Sequence, residues 1–191
     1  MEEKTNQIAF SGWHGTDERL ALQTVKTNFK ESTGEHHWLG EGVYFFTVGI
    51  GEPLLHAQNW AILEAFKKRY TKYAVVYAVA RVNDDAVLDL RQQAGLDIFN
   101  EHRRFVLDIF RKRNKRAKFS LDGKIFKHLR SVAGIELVLK NMYVQLTKED
   151  RIQQVASRIE NCTFLCVYNP NKNIDISTIS IVKSDKVQET N

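Results

Sequence analysis

Trp38-Leu39-Gly40-Glu41-Gly42-Val43-Tyr44-Phe45-Phe46 is the stretch on which the fold turns. Two glycines one residue apart end a loop that starts near Gly34. The four residues after them are apolar or aromatic and read as a strand. Upstream, Ile8-Ala9-Phe10 reads as a short strand with Gly12-Trp13-His14-Gly15-Thr16 as its turn. Thr16 is a candidate N-cap for a helix whose first turn holds Asp17 and Glu18, with Leu22, Val25 and Phe29 at helical spacing. Downstream, Pro53 suits the first turn of a second helix, striped by Leu55, Ile62 and Phe66 with Trp60 and Leu63 in support.

Tyr73–Val82 is apolar on both alternating faces apart from Arg81, the pattern of a strand buried on both sides. Ile98, Phe105, Val106, Ile109 and Phe110 stripe a third helix. A fourth is expected over Asp122–Ala133, with Ile125, Phe126, Leu129 and Val132 inward and Gly134 as its stop. Ile135–Leu139, Met142–Val144, Thr163–Tyr168 and Ile174–Ile181 are further strand candidates. Scattered strands with helices early and in the middle predict an α+β class. At 191 residues with two prolines and no obvious linker, one domain over 1–191 is expected, with a basic helical insertion around 98–133.

Charge is concentrated in that insertion. Between Glu101 and Arg130, eleven basic residues face three acids, a net +8 against +5 for the whole chain. Arg111, Lys112, Arg113, Lys115 and Arg116 are its densest part and the candidate contact for an anionic partner such as nucleic acid. A solvated helix face would look the same in sequence. No apolar run approaches the ~18 residues of a membrane span. The start Met1-Glu2-Glu3-Lys4 lacks the basic and apolar regions of a signal peptide, so a cytoplasmic location and no membrane partner are expected. Cys162 and Cys166 fall on one face of a strand, roughly 13 Å apart. That is too far for a disulfide, and no further His or Cys completes a metal set, so buried thiols and no metal site are expected.

Three segments taken together carry chemistry: Trp13–Thr16, Trp38–Phe46 and Phe164-Leu165-Cys166-Val167-Tyr168-Asn169. Their order and spacing resemble the poly(ADP-ribose) polymerase-like ADP-ribosyltransferases. That family carries a His-Gly-Ser/Thr, then Gly-x-Gly-Ile/Val-Tyr-Phe, then a helix, which Ala57-x-x-Trp60-Ala61 matches here. The likeness covers Ile8–Ala61 well and Thr163–Asn169 more loosely. It implies an ADP-ribosyltransferase fold of split antiparallel β-sheets flanked by helices, with NAD as the substrate.

By the same resemblance, His14 should bond the adenosine ribose and the Gly15 backbone the nicotinamide amide. Thr16 and Gly42 should border the pocket, and Tyr44 should stack on the nicotinamide ring, an aromatic–cation contact worth about 1–2 kcal/mol when desolvated. The family's polymer-forming members place a Glu four residues before the last Tyr. Here that position, four before Tyr168, is Phe164. Glu41 or Glu160 could supply the acid, or the transfer needs none there. Single-unit transfer is therefore expected over polymer synthesis. A silent module that only binds NAD or ADP-ribose is the alternative. Related tRNA 2′-phosphotransferases need an Arg-His-Arg-Arg set that His14 lacks. The expected acceptor is a macromolecule, nucleic acid or protein. A toxin or defence effector of this kind would be expected to have a neutralising antitoxin. His36 and His37, beside Trp38, receive no role.

Overall fold

A computed structural model describes residues 6–33, 37–113 and 121–187. In chain order the elements are β1 (Gln7–Asp17), α1 (Glu18–Thr27), β2 (Val43–Phe46), α2 (Pro53–Lys68), β3 (Lys72–Asn83), β4 (Val87–Asp89), α3 (Gln93–Lys112), α4 (Leu121–Val132), β5 (Leu137–Met142), α5 (Lys148–Ile152), β6 (Cys162–Val167), α6 (Pro170–Asn173) and β7 (Ser180–Lys186). The class is α+β. The strands form one sheet in the order β4-β5-β6-β2-β1-β3-β7. Every ladder is antiparallel except β4 with β5. The expected pair of split antiparallel sheets is thus corrected to a single mixed sheet. The chain returns from β4 through α3 and α4 before entering β5, the long crossover a parallel pair requires.

The sheet nonetheless has a seam. β1 and β3 pair over eleven residues, Gln7↔Asn83 to Asp17↔Tyr73, and β2 pairs fully with β6. Between β1 and β2 the register records only Trp13↔Phe46. Packing carries the two halves across this gap. α2 lies over β1, β3, β2 and β6. One core, on the face of α2, α3 and α4, holds Phe46, Ala57, Val75, Val106, Phe126, Val138 and Phe164. The other, on the face of α1, holds Ala21, Phe29, Phe45, Ala74, Val76 and Leu165. Alternate residues of β3, β5 and β6 divide between the two, as strand pleating demands.

Several local expectations change. β1 runs straight through the segment expected to turn, and Asp17 rather than Thr16 caps α1, accepting from the Arg19 N–H at 2.8 Å. Leu22 is exposed, while Ala21 faces the core. The buried face of α2 is Ala57, Ala61, Leu63 and Ala65; Leu55 and Phe66 point to solvent. Small residues win there because α2 lies so close to β1. A Cβ built on Gly15 would stand 1.8 Å from the Ala57 carbonyl oxygen. Within the basic segment, α3 and α4 reach the core through Val106, Ile125, Phe126 and Leu129, which are buried. Ile98, Phe105 and Val132 are exposed. Among the described residues no helix is long and apolar enough to cross a membrane.

Candidate functional site

Continued past Trp13↔Phe46, the ladder would bring Phe45 to His14 and Tyr44 to Gly15. Instead the His14 side chain occupies the gap, its Nδ1 2.7 Å from the Tyr44 carbonyl oxygen. A carbonyl only accepts, so Nδ1 carries the proton and Nε2 is left as an acceptor. Burial lowers the His14 pKa from 6.5. The Tyr44 carbonyl raises it, and Lys68 adds to the lowering. The imidazole is therefore neutral at physiological pH. Phe29 and Phe45 meet the ring edge-on, at 5.5 and 5.9 Å between centroids.

Two cavities adjoin this gap, one for each face of the sheet. A cavity of about 300 Å³ is lined by His14 and Thr16 of β1, by α1, by the segment 28–32, and by Gly42, Val43 and Tyr44. The second, about 430 Å³, is lined by His14, Gly15, His37, Trp38, Tyr44, Phe46, Trp60, Glu64, Lys67 and Phe164. His14, Ser32 and Tyr44 border both. The two cavities thus meet at the residues where the hydrogen bonding of the sheet lapses. His14, Gly15, Thr16, Gly42 and Tyr44, singled out in the sequence, are brought together here.

The loop carrying Trp38 is fixed from three sides. The Tyr44 hydroxyl accepts from the Leu39 N–H at 2.8 Å and donates to the Gly40 carbonyl at 2.7 Å. Burial pushes that hydroxyl well above the usual phenol range, with Cys166 adding to it. From below, the Tyr168 hydroxyl donates to the Leu39 carbonyl at 2.5 Å. From α4, Arg130 donates to the Glu41 carbonyl at 2.9 Å and to Glu31 at 3.1 Å, and lies 4.4 Å over the Tyr168 ring. Gly40 has φ +81° with Phe126 close behind it, so the turn needs glycine on both counts. With its hydroxyl committed, Tyr44 presents its ring to the second cavity, edge-on to Phe164 at 6.3 Å.

Neither expected acid lines either cavity. Glu160 is exposed ahead of β6, and Glu41 is half-buried in the loop that Arg130 grips. The carboxylate lining the second cavity is Glu64, 13% exposed and ion-paired with Lys68 at 3.2 Å and Arg151 at 3.3 Å. Trp60, one helical turn earlier, faces the same way, with Arg151 5.1 Å over its ring. That four-residue spacing was the signal in the sequence for Glu64. His37, also unassigned from sequence, borders the cavity with its ring tilted toward Tyr44 at 6.0 Å.

Arg111, Lys112 and Arg113 are exposed at the end of α3, Arg111 paired with Asp108 at 3.4 Å. Lys115 and Arg116 lie outside the described residues. Cys162 and Cys166 are buried free thiols, and burial raises the first to about 12. No group of three or more His, Cys, Asp or Glu among the described residues could hold a metal ion.

No family model matches the chain. It is similar to "Uncharacterized protein MJ0359" of Methanocaldococcus jannaschii, with 31% identity over 81 residues. That match covers 41% of this chain and 36% of the relative, so the chain spans little more than a third of that protein's length.

Proposed function

We propose that the chain has the ADP-ribosyltransferase fold and transfers single ADP-ribose units from NAD to a macromolecule. The observation that carries this is the gap between β1 and β2. There His14, its Nδ1–H held by the Tyr44 carbonyl, and Tyr44 itself border both cavities. A ribose hydroxyl can donate to His14 Nε2. The cationic nicotinamide then fits against Tyr44 among Trp38, Trp60 and Phe164.

Glu64 takes the role of the acid that Phe164 leaves vacant on β6. The glycosidic C1′–N bond breaks, and its electron pair goes to the nicotinamide nitrogen. The positive charge left on the ribose faces the Glu64 carboxylate. A lone pair of the acceptor closes on C1′, and the acceptor's proton passes to Glu64 and then to water.

Incubation with NAD and cell lysate, with nicotinamide release as the readout, tests this. Glu64→Gln should lower release on the order of a hundredfold while NAD affinity stays within a few fold, because the carboxylate acts on the transition state. Thermal melting of the variant checks that losing the two ion pairs has not unfolded α2. A second reading, a silent module that binds NAD or ADP-ribose, is favoured by Phe164. NAD binding without nicotinamide release under any condition would establish it. No NAD binding at all would end both readings.

A further inference from the structure

A third cavity, about 620 Å³, opens beside the second and shares Trp38, Trp60, Glu64 and Lys67 with it. Beyond them it extends over Tyr143 and Arg151. We infer that this cavity is the acceptor subsite and that it receives a base and phosphate of a single-stranded nucleic acid. The acceptor role rests on the transferase reading above, while the binding does not.

Three features point to that chemistry. First, Trp38 is 45% exposed, and its ring contacts, with Trp60 and Phe164, are steep, at 71° and 74°. No ring lies parallel on it among the described residues, so a flat face is open to a base. Every base offers such a face, and stacking is insensitive to sequence. Second, the cations are arranged to serve a phosphate. Glu64 and the Trp60 ring hold the Arg151 guanidinium in place, and Lys67, exposed at the junction of the two cavities, has no ion pair among the described residues. Third, Tyr143, which lines this cavity and not the second, adds another half-buried ring. An acidic protein side chain would pair with Lys67 but would leave the indole and phenol faces without a use. A duplex hides its base faces within the stack, so the occupant is a single strand.

Glu64 borders both cavities, so the two ligands meet at the carboxylate. A nucleotide lone pair attacks the C1′ that nicotinamide leaves with the bonding pair. The proton displaced from the nucleotide goes to Glu64.

Fluorescent single-stranded DNA and RNA oligonucleotides and matched duplexes, titrated at low salt without NAD, test the subsite by anisotropy and by tryptophan emission. The wild type should bind the single strands with quenching and bind duplex more weakly. Trp38→Leu and Tyr143→Ala should each weaken binding about tenfold. Lys67→Gln, a change at an exposed side chain, should lower the slope of log affinity against log salt by about 0.7. Preference for duplex, wild-type affinity and salt slope in all three variants, or no oligonucleotide binding by the wild type would each overturn the subsite, as would label from NAD appearing on protein alone. NAD titration of the wild type keeps the two proposals apart. Oligonucleotide binding without NAD binding removes the transferase and leaves the subsite. NAD binding without oligonucleotide binding does the reverse.

Discussion

His14 shows how one side chain can replace a stretch of ladder and, by doing so, acquire a fixed tautomer. Its Nδ1–H is spent on the Tyr44 carbonyl, and burial holds the ring neutral below its ordinary titration range. In the unfolded chain the same imidazole protonates near 6.5. Between that value and the depressed native one the unfolded state binds more protons, so this part of the stability is complete above about pH 6.5 and falls as the pH drops toward the native pKa. His56, whose buried Nδ1 has no hydrogen-bond partner among the described residues, is also lowered by burial and adds in the same direction. Urea unfolding at pH 8 and pH 5.5 should show a smaller loss for His14→Gln than for the wild type. If His14 Nε2 accepts from the ribose, NAD affinity should stay level down to about pH 6.5 and fall only below it. His14→Ala should weaken NAD about tenfold by titration calorimetry. Gly15 is explained differently. The wall behind it is the α2 backbone itself, which cannot rotate away as a side chain would. Gly15→Ala should therefore cost on the order of 1–3 kcal/mol in denaturant melts, whether or not NAD is bound.

At the scale of elements, α4 acts as a clamp on a loop far from it in sequence. Arg130 reaches the Glu41 carbonyl, Glu31, Asn169 and the face of Tyr168 from one guanidinium. Arg130→Ala should lower stability by about 2–3 kcal/mol and raise proteolytic cutting between residues 30 and 42. Arg130→Lys should recover little, because an ammonium cannot fork to several acceptors while lying flat on a ring. β2, β3, the middle of α4 and the Gly134 stop were legible because alternation, helical spacing and a positive φ leave marks in sequence. β4 was not, since three residues, Val87–Asp89, carry no period and their parallel partner lies fifty residues on. The inward face of α2 was misread because bulky side chains were given weight. A helix pressed against Gly15 buries alanines and turns Leu55 outward. The same gap hid Glu64. His14 and Tyr44 stand in recognisable motifs, whereas Glu64 enters the cavity through the packing of α2 across the seam.

The whole molecule carries its charge unevenly. Arg111, Lys112 and Arg113 project from the end of α3 with only Asp108 to answer them among the described residues. If they track a nucleic-acid backbone, neutral replacement of the three should flatten the salt dependence of oligonucleotide binding by about 0.7 for each phosphate no longer neutralised. NAD binding should not change, and neither should melting, since exposed pairs contribute little to stability. A wild-type salt slope in the triple variant would make this segment a solvated helix end. The seam at Trp13↔Phe46 has a different kind of consequence. With one rung between them, β1-β3-β7 and β4-β5-β6-β2 need not open together. Their amide protons should exchange with solvent as two populations, the strands flanking the gap fastest in each. A dinucleotide bound against both His14 and Tyr44, as proposed, would supply the cross-ties the backbone omits. If NAD binds as proposed, saturation with it should make the two exchange rates slow and converge, and the sheet would become one cooperative unit only with the dinucleotide in place.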